Sequence, residues 1–360
     1  MKMAVHCHFL LNAHYRAKTV STSYAGRFFW DGRLSFVKNL SFSPQALLYP
    51  LRYGILISYR WKGAAAMQML PAKTIVTNTK SAAGWFGARY NMNIYRGCCH
   101  GCIYCDSRSE CYRNDDFDTV CAKQDALRII RDDLRRKTRT GVVSTGAMSD
   151  PYNPFECTEQ LTRHALELLA AYGFGAAIAT KSDLICRDID ILREIRQNAP
   201  VLCKLTVTTA DNTLARKIEP HAPPPSARLD ALARLHDAGL HTCILLMPVL
   251  PWITDTEAHL LAIVQRAKQI GVDFISPALG LTMRDRQRAY FYAALDREFP
   301  GLKQKYIARY GTRYQCASPR AKALWATFTR ACDEAGIFYQ MHDITRRYQR
   351  GYGADQLTLY

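Results

Sequence analysis

Five of the 13 cysteines in the chain, Cys98, Cys99, Cys102, Cys105 and Cys111, fall within 14 residues. Three of them, Cys98, Cys102 and Cys105, are spaced C-x3-C-x2-C in the run RGCCHGCIYC. Three thiolates closing on one loop can each hold one iron of a cubane [4Fe–4S] cluster, leaving the fourth iron open to a ligand from outside the protein. An open metal position suits catalysis, whereas structural sites are closed. Gly97 and Gly101 would let such a loop wrap tightly. Plainer chemistries fit the same residues. A structural zinc knuckle would take Cys98, Cys102 and Cys105 with Cys99, His100 or Cys111 as the fourth ligand, although no further C-x2-C pair lies elsewhere to complete a ribbon. An electron-transfer iron–sulfur protein would need a fourth ligand from the chain. Ordinary core cysteines would follow a helical or strand period, which these do not, and an odd, scattered set does not read as a disulfide framework.

The elements that must position this loop are legible from about residue 91 onward. Short β-rich runs at Met92–Tyr95, Val142–Thr145, Ala176–Thr180, Leu202–Thr208, Thr242–Val249 and Asp273–Ile275 alternate with amphipathic stretches. Glu159–Ala171 is one such stretch, with Leu161, Ala165, Leu166, Leu168 and Leu169 on one broad face. Gly173, Gly239, Gly271 and Gly336 each stand where a helix should end and a strand begin, ready for the left-handed C′ conformation. Strand–helix alternation with short connections predicts an α/β fold with a parallel sheet and right-handed crossovers. Six units predict a partial (β/α)6 barrel with a C-terminal helical extension. Its chemistry should sit at the C-terminal ends of the strands.

The 360 residues are 48% hydrophobic and 11% aromatic, which excludes disorder as the main state. The net charge of +17 is concentrated at the ends. Residues 1–66 hold nine Lys and Arg against the single acid Asp31, and residues 301–360 hold ten against four, while 67–300 are nearly balanced at +3. We read 1–66 as a basic extension from an upstream start codon, with Met67 or Met69 as the true start, 67–300 as the core, and 301–360 as a basic, Tyr-rich region. That region carries seven tyrosines, and the segment TRRYQRGY, Arg346 to Tyr352, could contact nucleic acid by phosphate pairing and stacking. Its helix near Pro319–Ala335 should turn Leu324, Trp325, Phe328 and Ala331 inward. The longest apolar run, Ile244 to Ile253, is about half of the roughly 20 residues a membrane span needs, and no secretory leader is evident, so the expected location is cytoplasmic.

C-x3-C-x2-C with Tyr104 before its last cysteine resembles the radical S-adenosylmethionine (radical SAM) superfamily. IYRGCCHGCIYCDSRSECY and TGAMSDPYNPFE resemble, more narrowly, its spore photoproduct lyase-related branch, the DNA-repair-photolyase-like proteins, over roughly residues 69–350. The resemblance implies a [4Fe–4S] cluster on Cys98, Cys102 and Cys105 and S-adenosylmethionine at the open iron. It further implies cleavage of that molecule to a 5′-deoxyadenosyl radical, with an electron from a reductase or a flavodoxin- or ferredoxin-type donor. Tyr104 matches the aromatic that borders the adenine in similar enzymes, and from spacing it is equally a core aromatic. Ser149 matches a serine on the methionyl group, Lys181 a lysine near the cofactor carboxylate, and Thr206 a hydroxyl residue facing the cofactor. Each also has an ordinary reading, as a turn residue, a solvated loop lysine and a strand-favouring β-branched residue. Met247 and Pro248 should pack rather than bind. The hydrogen-donor cysteine of the lyase falls at Ala147 here, which argues against repair of the spore photoproduct itself. Cys99, Cys111 and Cys121 lack the spacing of a second cluster motif. The substrate class expected from the resemblance and the basic ends is a nucleic-acid lesion or modified base.

Overall fold

The computed structural model describes residues 67–79 and 85–352. The readings made for residues 1–66 lie outside the described residues. Six strands run parallel in one sheet: β1 (Tyr90–Met92), β2 (Val142–Thr145), β3 (Gly175–Thr180), β4 (Val201–Thr206), β5 (His241–Leu246) and β6 (Phe274–Pro277). Their spatial order follows the chain without reversal, and Val76–Asn78 closes the β1 edge antiparallel. Between and after them come α1 (Ala126–Arg135), α2 (Leu161–Ala171), α3 (Ile189–Asn198), α4 (Pro225–Asp237) and α5 (Glu257–Gln269). Beyond β6 follow α6 (Asp285–Glu298), α7 (Leu302–Tyr310), α8 (Ala321–Ala335) and α9 (Met341–Tyr348).

An unreversed order with right-handed crossovers lays every crossover helix on the same face of the sheet. Neighbouring helices accordingly pack side by side, α1 on α2, α2 on α3, and α8 on α5, where α8 serves as the outer helix of the sixth unit. This is the six-unit architecture expected from the sequence. Glycine ends the helices as expected, with φ from +70° to +78° at Gly173, Gly239, Gly271 and Gly336. α5 opens on Thr256, whose hydroxyl accepts from the His259 amide, and α4 opens with Pro225 in its first turn.

Strand alternation divides the side chains of β4. Val201, Cys203 and Leu205 face the helices, and Leu202, Lys204 and Thr206 face the other way. Both faces are buried, which is why these strands read as continuous apolar runs. The inner face is covered toward its base by Phe86, Ile344 and Tyr348, packed on Val142, Leu202 and Phe274. The Tyr348 hydroxyl donates to the Phe86 carbonyl, and Gln349 Nε2 donates to the Gly87 carbonyl at 3.2 Å.

Several expected details shift. The first strand starts at Tyr90 and not Met92, because Tyr95–Arg96 leaves the main sheet to pair antiparallel with Cys121–Lys123, which in turn pairs with Gln68–Leu70. The fourth and fifth strands stop at Thr206 and Leu246, short of Thr208 and Val249. Pro248 has no N–H to continue the ladder, and Thr208 turns its hydroxyl to Glu219 at 3.0 Å. The helix expected from Pro319 begins at Ala321, and Trp325 is 41% exposed, stacked edge-on against Tyr339. The C-terminal tyrosines are largely structural: Tyr306, Tyr310 and Tyr348 are buried, and Tyr352 donates to the Gly173 carbonyl. In TRRYQRGY, Arg347 lies over the Phe338 ring and Arg346 pairs with Asp343 at 2.7 Å.

Candidate active site

The cysteine loop is an excursion from a two-stranded ladder. Arg96 and Cys121 are register partners, so residues 97–120 leave and return at one point, and the Cys98 amide donates to the Phe117 carbonyl at 2.8 Å. Gly97 sits at φ +80°, and a methyl there would lie 2.0 Å from the Thr119 carbonyl oxygen, so the loop closes only with glycine. Its far side is clamped by the start of α6. Arg284 pairs with Asp106 at 2.7 Å, Arg286 donates to the Arg108 carbonyl, Gln287 donates to the Tyr104 carbonyl, and the Arg108 guanidinium stacks 3.8 Å from the Tyr290 ring. Cys102, Ile103 and Tyr104 thereby join a second core with Leu281, Met283, Phe291 and Tyr306.

Within this loop Cys98, Cys102 and Cys105 lie close enough to interact electrostatically, and burial raises the pKa of all three thiols. Two devices offset this and favour thiolate. The His100 amide is directed at the Cys98 sulfur, and the Ser107 amide and hydroxyl at that of Cys105. The Lys181 ammonium acts on Cys102 and Cys105. Burial works against that ammonium, but Cys102 and Glu219 more than compensate and hold its pKa above the usual value. Three thiols on one closed loop, with N–H donors and a cation around them, fit an iron–sulfur cluster. Among the described residues, no three His, Cys, Asp or Glu side chains are gathered to hold a single metal ion.

The strand ends supply the rest. Lys181, just past β3, lies 5.7 Å from the Tyr104 ring centre. The Tyr104 hydroxyl donates to Glu219, and burial and that carboxylate keep it protonated. Glu219 pairs with Arg228 at 2.6 Å, both fully buried, and Arg228 Nη1 donates to the Thr206 carbonyl at 2.9 Å. Burial would raise the Glu219 pKa, but Arg228 and Lys181 hold it below the usual carboxylate value. Arg228 Nη2 has no hydrogen-bond partner among the described residues. Ser149, in the loop after β2, donates to the Gly97 carbonyl at 2.5 Å. Beside it Asp150 accepts from Thr180 Oγ1 at 2.6 Å and from the Lys181 and Tyr152 amides, and lies 3.5 Å from His100 Nδ1. Burial keeps that imidazole neutral by lowering its pKa.

Residues 92–280 match the radical SAM superfamily. The chain belongs to the radical SAM superfamily. A chain of Mycobacterium tuberculosis (strain ATCC 25618 / H37Rv), described as an uncharacterized protein, is 34% identical over 229 residues, 62% of this chain and 67% of the relative. One from Methanocaldococcus jannaschii, described likewise, is 30% identical over 173 residues, 48% of this chain and 64% of the relative. Among solved structures, spore photoproduct lyase complexed with dinucleoside spore photoproduct is similar in fold at TM-score 0.56 and 14% identity, covering 76% of this chain and 82% of the lyase. A lyase variant with bound AdoMet and the dinucleoside spore photoproduct aligns at TM-score 0.55 and 15% identity, over 74% and 79% of the two chains.

This radical SAM enzyme therefore brings Tyr104 and Lys181 together beside Cys102, and joins Thr206 to them through Arg228 and Glu219. Ser149 is tied to the backbone at Gly97, one residue before Cys98, and Ala147 is exposed in the same loop. Met247 packs against the inner-face core as expected. Cys111 is exposed on a short turn and Cys121 lies in the small ladder. Glu219, Arg228 and Asp150 were not singled out from sequence, and His100 is read there only as one choice for the fourth ligand of a zinc knuckle. The one available signal was charge inside apolar pattern, as at Arg228 within SARLDALARL.

Proposed function

We propose that Cys98, Cys102 and Cys105 hold a [4Fe–4S] cluster and that Tyr104, Lys181, Thr206 and the Ser149 loop border S-adenosylmethionine at its open iron. When bound, the cluster supplies an electron that splits the C5′–S bond to methionine and a 5′-deoxyadenosyl radical, which takes a hydrogen atom from substrate. The observation that carries this reading is the convergence of three buried thiols, two of them supported by N–H donors, with Lys181 at the C-terminal ends of the parallel strands. Lys181 and Arg228 flank the Glu219 carboxylate, and Arg228 Nη2 has no hydrogen-bond partner among the described residues, which suits a ligand bearing a carboxylate. Tyr104 is held by its hydroxyl, so its ring cannot swing away. The α6 clamp keeps the cysteine loop in one geometry and closes its outer side to water. The electron comes from a reductase or a flavodoxin- or ferredoxin-type donor. The substrate class supported by the basic ends, and by a fold neighbour solved with a dinucleoside lesion, is a nucleic-acid lesion or modified base. Without a thiol at Ala147, its chemistry differs from repair of the spore photoproduct.

The test is anaerobic reconstitution with iron and sulfide, reduction with dithionite, and chromatography for 5′-deoxyadenosine. The wild type is expected to form it from S-adenosylmethionine, and Cys102→Ala is not. Absence of product from a wild type carrying a full cluster would refute the reading.

A further inference from the structure

The mid-strand residue of β4 that faces inward is Lys204, two positions before Thr206 on the same face and so about 6.6 Å deeper in the sheet. Its register partners are Ala179 on β3 and Cys243 on β5, small residues that leave the long side chain free to stand out from the sheet. The side chain is 0% exposed, and among the described residues its ammonium has no hydrogen-bond acceptor and no counter-ion. Two aromatic faces meet it, the Phe86 ring centre at 4.4 Å and that of Trp85 at 4.9 Å, and the buried thiols of Cys243 and Cys203 act on it electrostatically. Trp85, the outer of the two, is 42% exposed.

A fully buried lysine without an acceptor is rare, because each of its three donors loses water and gains nothing. Two rings recover part of that loss. Burial lowers the pKa to about 8, so the group is still mostly charged at neutral pH. Such a cation costs stability in the free protein, and a purely packing role would be filled better by methionine. Its place is one layer below Thr206, on the face turned toward the interior of the six-unit sheet.

We propose that Lys204 is a substrate-orienting residue, its ammonium receiving an oxyanion, phosphate or carboxylate, of the molecule processed inside the sheet. The inference rests on the radical SAM reading only in taking that interior as the substrate chamber. An anion below Thr206 would anchor the far end of a substrate whose reacting carbon lies above, near the strand ends. The Trp85 and Phe86 rings would cover that anchor from bulk water.

The test uses the full chain, reconstituted anaerobically, as wild type, Lys204→Met and Lys204→Arg. Melting temperature and calorimetric binding are measured with inorganic pyrophosphate for the phosphate class and malonate for the carboxylate class. Without added anion, Lys204→Met is expected to melt higher than wild type by roughly 2–4 °C, since an unpaired buried charge is replaced by an apolar isostere. Pyrophosphate or malonate should bind wild type, at least tenfold more weakly Lys204→Met, and within about threefold of wild type Lys204→Arg. Which probe binds identifies the oxyanion. A lower melting temperature for Lys204→Met would make the lysine structural and overturn the proposal. Equal probe affinity in wild type and Lys204→Met, or no binding of either probe to wild type, would also overturn it. None of these readouts needs S-adenosylmethionine cleavage, so failure of the radical reading would show separately, as missing 5′-deoxyadenosine.

Discussion

The two faces of the parallel sheet obey different rules. On the outer face Ile178, Cys203, Leu205, Ile244 and Leu246 meet the helices in one apolar core. On the inner face the same strands set the small or polar Ala177, Ala179, Lys204 and Thr206 beside apolar Leu202 and Leu245, and at the strand ends this side meets Glu219, Arg228 and Lys181. The outer face is ordinary close packing, and its loss is a loss of stability alone. The inner side holds charge that packing does not require, which is how a scaffold keeps room for chemistry at a cost in stability.

Breaking the inner side should cost most. Glu219→Gln leaves Arg228 fully buried without its carboxylate, while the amide oxygen can still accept from the Tyr104 hydroxyl. We expect a loss of about 3–5 kcal/mol, read by denaturant unfolding, together with loss of S-adenosylmethionine binding. A small change would show that Arg228 finds another partner. Breaking the outer face sharpens the contrast. Ile244→Ala should cost about 2–5 kcal/mol through its cavity, yet the protein that remains folded should bind S-adenosylmethionine with wild-type affinity by calorimetry. Weakened binding there would mean that the faces are coupled.

What was legible follows the same division. The outer face writes itself into local pattern: apolar runs for strands buried on both sides, amphipathic helices between them, and glycine at Gly173, Gly239, Gly271 and Gly336 where helices stop. The cysteine spacing is also local, so the cluster loop could be found within eight residues. The inner side is built by partners far apart in the chain. Tyr104 meets Glu219 across 115 residues, and Tyr348 meets Phe86 across 262. No periodicity encodes such a pairing. Asp150, beside the Ser149 turn, is the acceptor joining the loops after β2 and β3. Lys204 was hidden inside the β run KLTVTT, where only alternation, once the sheet was known, assigns it to the inner face.

The central claim is that three thiols at the strand ends hold a cluster with one iron open to S-adenosylmethionine. It is tested most directly by electron paramagnetic resonance of the anaerobically reconstituted, reduced protein with and without S-adenosylmethionine, in wild type and Cys102→Ala. The account predicts a wild-type signal of a reduced [4Fe–4S] cluster that changes on addition of S-adenosylmethionine, and no such signal from Cys102→Ala. A wild-type cluster whose spectrum ignores S-adenosylmethionine, or a colourless protein holding stoichiometric zinc, would contradict it.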